Sequence, residues 1–221
     1  MSLVLKEVKK SFHQGDTEIQ VLKGLETTIT PGEIVSVVGQ SGSGKSTLLS
    51  ILAGLERADA GQILVDSVNL MNLNESELTL FRAQNIAIVF QQYHLISHLT
   101  ALENVMLALE ILKIEDAQSK AEAALKELGL GHRLTHFPSQ MSGGECQRVA
   151  IARALVVRPK ILLADEPSGN LDTHTGEKVM DVFFEVVKKH NITTILVTHS
   201  ETLAKRCQRT LRLNEGHLRE L

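Results

Sequence analysis

The sequence predicts an α/β fold: a mainly parallel sheet covered by helices, an N-terminal antiparallel β subdomain and an inserted α-helical lobe. Three observations predict it. Apolar runs of strand length alternate with stretches of helical periodicity over much of the chain's 221 residues. A glycine-rich loop, Gly39 to Thr47, joins one such strand to one such helix. Residues 92–139 interrupt the alternation with helical periodicity alone.

In chain order, Leu3 to Val8, Ile19 to Val21 and Leu25 to Ile29 read as short strands. Gln14-Gly15-Asp16 separates them and Pro31-Gly32 closes them. Ile34 to Val38 is a buried-strand run that enters the glycine-rich loop, and Ser46 to Leu55 leaves it as a helix. A connection through Gly61 to Val65 leads to a polar helix over Glu75 to Gln84 and an apolar strand over Ile86 to Phe90. Leu99 to Leu112 and Ala117 to Leu128 carry apolar residues at three- and four-residue spacing, and Gly129-Leu130-Gly131 stops the second helix. Alternation resumes with a helix over Gly144 to Val157 and a strand over Ile161 to Ala164. The helix Thr175 to His190 follows, with Val179, Val182, Phe183, Val186 and Val187 on one face, and then the strand Thr193 to Val197. Leu211 to Leu218 forms a C-terminal hairpin. The expected organisation is one domain, with a core of residues 1–91 and 140–221 and a helical lobe of residues 92–139.

Composition narrows the class. The chain is 43% hydrophobic, enough for a core. Its 23 basic and 26 acidic residues nearly balance, which argues against a nucleic-acid partner, since such proteins carry a basic stripe. No apolar run reaches the ~18 residues of a membrane span, and Met1 to Lys6 opens a strand, not a signal peptide. Direct membrane insertion is not expected, so a membrane role needs a separate partner chain. Cys146 and Cys207 fit no metal-ligand spacing and suit a reducing cytoplasm.

Gly39-Gln40-Ser41-Gly42-Ser43-Gly44-Lys45-Ser46-Thr47 is a P-loop in the strand-to-helix context that the motif requires. Its glycines let backbone N–H groups wrap the phosphates of a nucleoside triphosphate. Lys45 can reach the β- and γ-phosphates, and the Ser46 hydroxyl can ligate Mg2+. The apolar strand Ile161 to Ala164 ends in Asp165 and Glu166. Asp165 can hold Mg2+, and Glu166 can orient and polarise the attacking water. Adjacent acids diverge at a strand end, so two roles suit them. Gln91, after the strand Ile86 to Phe90, offers a neutral amide to Mg2+ or to water. Phe12 is either a core residue or a stacking platform for a base.

Met141-Ser142-Gly143-Gly144-Glu145-Cys146-Gln147-Arg148 is a second glycine motif. Ser142, Gly143 and Gly144 lead into a helix, where exposed N–H groups and the helix dipole favour an anion. Two phosphate-binding helix N-termini with one set of catalytic groups point to a second site presented to a nucleotide on another subunit. This segment closely resembles the signature of ATP-binding-cassette (ABC) ATPases, and the chain resembles that family from end to end. The resemblance implies an ATPase that binds ATP and Mg2+ and works as a homodimer, with two ATP molecules clamped head-to-tail. It also assigns roles. Val89-Phe90-Gln91-Gln92 looks like the Q-loop, with Gln91 as the functional position. His199, after Thr194 to Thr198, resembles the switch histidine that contacts the γ-phosphate. Phe12 stands where the family stacks an aromatic, usually Tyr, on adenine. Ser168-Gly169-Asn170-Leu171-Asp172 resembles the D-loop. Met141 replaces the usual Leu, Glu145 the usual Gln, and Cys146 is unusual. None of these departures removes a group that the chemistry needs.

Glu166-Pro167-Ser168-Gly169-Asn170-Leu171-Asp172 is similar to the motif of one branch of that family. The branch contains the lipoprotein-releasing ATPase LolD, the efflux ATPase MacB and the division ATPase FtsE. Leu99 to Val105 and the short segment from Leu203 to Leu221 resemble the same branch. Such ATPases pair with integral membrane permeases of FtsX/MacB type, which places the chain on the cytoplasmic face of the inner membrane. Within the branch the LolD-like ATPases are the better match, so the expected function is lipoprotein release or export, with FtsE-like mechanotransmission or efflux as the alternative.

Overall fold

The computed structural model describes residues 2–221, and the chain forms two compact units, Met1–Arg82 with Asn191–Leu221, and Ala83–His190. It opens with two long strands, β1 (Leu3–Gln14) and β2 (Thr17–Ile29), antiparallel around Gly15. Three short strands are predicted here, and bulges account for the difference. Register shifts between Leu5 and Val8, Val8 and Lys9, and Lys10 and Ser11 break the two-residue period, so a continuous strand reads as fragments. Next come β3 (Ile34–Val38), α1 (Lys45–Leu52), β4 (Ala60–Val65) and β5 (Val68–Asn69). The predicted connection through Gly61 is therefore a strand. Ala60-Gly61-Gln62 carries little β propensity, which hid it. Pairing of β4 with β1 and β5 gives an antiparallel sheet in the order β2-β1-β4-β5.

The next elements lie within two residues of their predicted bounds. They are α2 (Glu75–Asn85), β6 (Ile86–Val89), α3 (Ala101–Ile111), α4 (Ala117–Glu127), α5 (Gly143–Leu155), β7 (Ile161–Asp165) and α6 (Thr173–Lys189). The chain closes with β8 (Thr193–Val197), the short α7 (Glu201–Ala204), β9 (Arg209–Asn214) and β10 (His217–Glu220). In the first unit β3 runs parallel to both β8 and β9, and β10 turns back antiparallel to β9. In the second, β6 and β7 are parallel. Every residue of β8 is buried, as are the first four of β3 and of β7, the pattern of strands covered on both faces. Helix α6 turns Val179, Met180, Phe183, Phe184, Val186 and Val187 inward. Burying each such side chain contributes about 1.5–3 kcal/mol. No helix among the described residues is long and apolar enough to cross a membrane.

In the second unit α3, α4 and α5 pack on one another, and α5 also packs on α6 and β6. Asn104 on α3 is only 1% exposed, yet it is fully used. Its Oδ1 accepts from Ile96 N at 2.8 Å, and its Nδ2 donates to the carbonyls of Ile96, Leu99 and Thr100 at 3.1, 3.0 and 2.9 Å. One side chain thus satisfies the backbone of the loop between β6 and α3. Asn104→Ala should cost on the order of 3 kcal/mol, because it strands several buried backbone groups at once. Urea unfolding should show a lower midpoint at an unchanged slope. A midpoint equal to that of the native protein would mean that water replaces the amide.

Candidate active site

In the first unit β3 delivers the chain into the glycine-rich loop and α1 carries it away. Gly44 has φ +99°, and a Cβ there would stand 2.9 Å from Val21 Cγ1, so any larger residue would be both strained and crowded. Helix α1 has no side-chain cap and no acidic residue in its first turn. Its leading N–H groups have no partner inside the helix, and its positive end is open to an anion. Ser43 Oγ is buried without a hydrogen-bond partner. A buried hydroxyl in that state is costly, and a phosphate oxygen is a suitable acceptor for it. Lys45 Nζ donates to the carbonyls of Gly39 at 2.9 Å and Gln40 at 2.8 Å, which holds the ammonium at the loop. The residues present therefore fit a triphosphate.

His199 follows β8 in the same unit and is exposed. Its backbone is fixed on both sides: Thr198 N donates to Val37 O at 3.2 Å, and Ser200 N donates to Thr198 Oγ1 at 3.0 Å. His199 shares a cleft of about 860 Å³ with Gly39 and Gln40, so the fold brings two separately predicted parts of the site together. The cleft continues along α7 and β9. Phe12 lies on β1 opposite Ile19, and both are exposed, at 41% and 44%. Of the two readings of Phe12, core or platform, the exposure favours the platform.

In the second unit Asp165 ends β7 and is half-buried. Glu166 follows with φ +44°, a left-handed conformation that a glutamate rarely adopts. Such strain, roughly 1–2 kcal/mol, persists only where neighbouring contacts enforce it. One is Gly169 N donating to Glu166 O at 2.9 Å. Gln91 is clasped to the same loop: its Nε2 donates to Asn170 Oδ1 at 3.0 Å, and Asn170 Nδ2 donates to the Gln91 carbonyl at 3.1 Å. That pair uses the amide nitrogen of Gln91 and leaves Oε1, the atom suited to a hard cation.

Ser142 is the N-cap of α5. Its Oγ accepts from Glu145 N at 3.3 Å, while Ser142 N donates to Glu145 Oε2 at 2.8 Å, closing a capping box. Arg133 Nε donates to Glu145 Oε1 at 2.7 Å. The Ser142 backbone N–H, joined by Arg133, holds the Glu145 carboxyl down to about 2 against the effect of burial. A Cβ on Gly144 would stand 2.6 Å from Thr175 Cγ2, so α5 begins in close contact with the start of α6. The two helix N-termini thus differ: that of α1 is open, and that of α5 carries its own ionised carboxylate, neutralised by Arg133.

Residues 22–169 match the ABC transporter family. The chain belongs to that family. It is 46% identical over 218 residues to the lipoprotein-releasing system ATP-binding protein LolD of Legionella pneumophila (strain Lens), spanning 98% of this chain and 96% of that protein. It is 48% identical over 215 residues to the uncharacterised ABC transporter ATP-binding protein YbbA of Escherichia coli (strain K12), spanning 96% and 94%. Among solved structures it is similar to the dimeric bacterial ABC transporter cassette MJ0796, with a TM-score of 0.89, 41% identity and coverage of 99% and 97%. A dimeric post-hydrolysis state of that cassette bound to ADP and Pi matches at 0.89 and 40% identity. This ABC cassette is an ATPase: it binds ATP and hydrolyses it.

The cassette also contains contacts that sequence reasoning missed. Gln147, fully buried on α5, donates from Nε2 to Phe90 O at 3.4 Å. Arg153, further along α5, donates to His94 O at 2.7 Å and Tyr93 O at 2.9 Å. Tyr93 Oη lies 2.8 Å from where a Cβ on Gly143 would stand, and burial pushes the Tyr93 phenol up. Helix α5 therefore braces the segment that follows Gln91. No residue spacing signals this bracing. The Ser142-x-x-Glu145 capping box was missed as well, although its spacing is the signal that could have found it.

Proposed function

We propose that this chain is the ATPase subunit of a transporter whose permease is a separate membrane chain of FtsX/MacB type, and that the complex releases or exports lipoproteins. The observation that carries the nucleotide reading is the loop before α1. An uncapped helix N-terminus, a held ammonium and a buried unpartnered hydroxyl all belong to it. The LolD relative supports the cargo. The subunit would then sit on the cytoplasmic face of the inner membrane through its permease.

In this reading residues Gly39 to Thr47 wrap the triphosphate, Lys45 neutralises the β- and γ-phosphates, and Phe12 stacks on adenine. Ser46, Gln91 and Asp165 would hold Mg2+, which when bound screens the charge on the phosphates. Glu166 draws on a proton of the attacking water, and His199 contacts the γ-phosphate. Ser142, Gly143 and Gly144 present the start of α5 to ATP held by a second copy, so that a homodimer clamps two ATP molecules head-to-tail. Hydrolysis opens the clamp, and the helical lobe of residues 92–139 passes the motion from the core, residues 1–91 and 140–221, to the permease.

Mechanotransmission of FtsE type, or efflux, is a second reading within the same branch. The uncharacterised YbbA, 48% identical to this chain, leaves this reading beside the first. Purifying the complex with its permease in detergent separates the two. A bound acylated protein supports lipoprotein release, whereas an empty complex that still hydrolyses ATP supports mechanotransmission.

Lys45→Ala tests the phosphate site itself. Removing the cation should weaken ATP binding by about tenfold or more and abolish hydrolysis. The fold should persist, because among the described residues Lys45 Nζ bonds only carbonyls of its own loop. Calorimetry showing native ATP affinity in this variant would remove Lys45 from the site.

A further inference from the structure

Lys10 is 8% exposed, on a strand whose neighbouring Lys9 is in solvent. A buried ammonium requires partners, and it has them. Lys10 Nζ donates to Glu56 Oε1 at 2.7 Å, Arg57 O at 2.9 Å and Asp59 Oδ1 at 3.3 Å. Asp59 also accepts from Ser11 N at 2.6 Å, and its own N–H donates to Lys9 O at 2.9 Å. Glu56, Arg57 and Asp59 lie just beyond the end of α1, the helix that starts at Lys45. The far end of the phosphate-binding helix is therefore tied to β1 at Lys10.

An ion-pair staple would explain those bonds alone. It does not explain a further contact: Lys10 Nζ stands over the Phe12 ring, 5.0 Å from its centroid. Phe12 is 41% exposed and Ile19, its cross-strand partner, 44%, so this apolar pair lies at the surface with a cation over the aromatic member. An ammonium on one face of a ring blocks that face and draws π density toward itself. The opposite face becomes the one open to an electron-rich planar base.

We propose that Lys10 is a positioning residue for the adenine of ATP, pinning the Phe12 ring and directing the base to its uncovered face. The inference rests on the reading of Phe12 as the adenine platform. Its test compares ATP with inorganic tripolyphosphate, which engages the phosphate loop without a base, by calorimetry in magnesium buffer on the full chain. Lys10→Met keeps the length and removes the charge. ATP affinity should fall about threefold to tenfold while tripolyphosphate affinity stays within about twofold, and Lys10→Arg should restore ATP binding. An equal loss for both ligands, or no loss for either, overturns the proposal and leaves Lys10 as a staple. Phe12→Ala separates the two ideas. If it leaves ATP affinity unchanged, the platform reading fails. If it weakens ATP binding and Lys10→Met does not, only the role of Lys10 fails. Should Lys10→Met not fold, Glu56→Gln combined with Asp59→Asn releases the ammonium from two half-exposed partners. The same split between ATP and tripolyphosphate is then expected, and its absence counts against the role.

Discussion

Glu166→Gln should bind Mg-ATP as tightly as the native protein and turn it over at about one-hundredth of the native rate or less. General-base assistance contributes about 10²–10⁴ in rate, and an amide of the same size cannot supply it. The substitution leaves the backbone problem unchanged. Position 166 has φ +44°, and glutamine tolerates that region no better and no worse than glutamate. Stability should therefore be nearly native, which separates a chemical loss from a folding loss. Removing one negative charge also lowers repulsion where nucleotide phosphate and carboxylate meet. In the presence of ATP a dimer should persist on a sizing column, and with ADP it should not. A fully active Glu166→Gln protein would falsify the assignment of Glu166 as the catalytic carboxylate, whatever its oligomeric state.

The strained backbone at Glu166 also shows where sequence reading stops. That Asp165 and Glu166 end an apolar strand was legible, because Ile161 to Ala164 is an unbroken buried run. The left-handed turn at Glu166 was not, since the residue type argues against it and its support, which includes the bond from Gly169 N, comes from the folded loop. The same division holds across the fold. Helices such as α6, with a continuous apolar face, were found within two residues. The long β1–β2 pair was not, because bulges near Val8 and Lys10 disrupt the alternation on which a strand is recognised. At the site, motif spacing supplied the candidate residues, namely the phosphate loop, the acids and the second glycine motif. It did not supply their supports, namely Asn170 on Gln91, Arg133 on Glu145 and Arg153 on Tyr93 and His94. Those partners come from distant parts of the chain and carry no local pattern. Lys10 is a comparable case: a lysine beside another lysine reads as a solvated face until Glu56 and Asp59 fold onto it.

The proposed head-to-tail arrangement is best tested with two inactive proteins. Ser142→Arg places a bulky side chain at the N-terminus of α5. It removes the Oγ that caps Glu145 N, a loss of about 1 kcal/mol, which is small beside the 5–15 kcal/mol that holds a domain folded. Lys45→Ala disables the phosphate loop. Each protein alone should be inactive as a homodimer. In a mixed dimer, a motif that acts across the interface puts both lesions into one composite site and leaves the other intact. Mixing should then restore up to roughly half of the activity of a native dimer, reduced by the fraction of mixed pairs and by coupling between the sites. A motif that acts within its own subunit gives the opposite result, because every site in the mixture retains one lesion and no activity returns. Differently tagged proteins and a pull-down establish that mixed dimers form. A single-turnover measurement on the purified mixed dimer removes the remaining ambiguity, because an intact site should hydrolyse its own ATP once even where steady cycling needs both sites to fire. No hydrolysis under that condition would sink the head-to-tail assignment of Ser142, Gly143 and Gly144, while leaving the roles of Lys45 and Glu166 untouched.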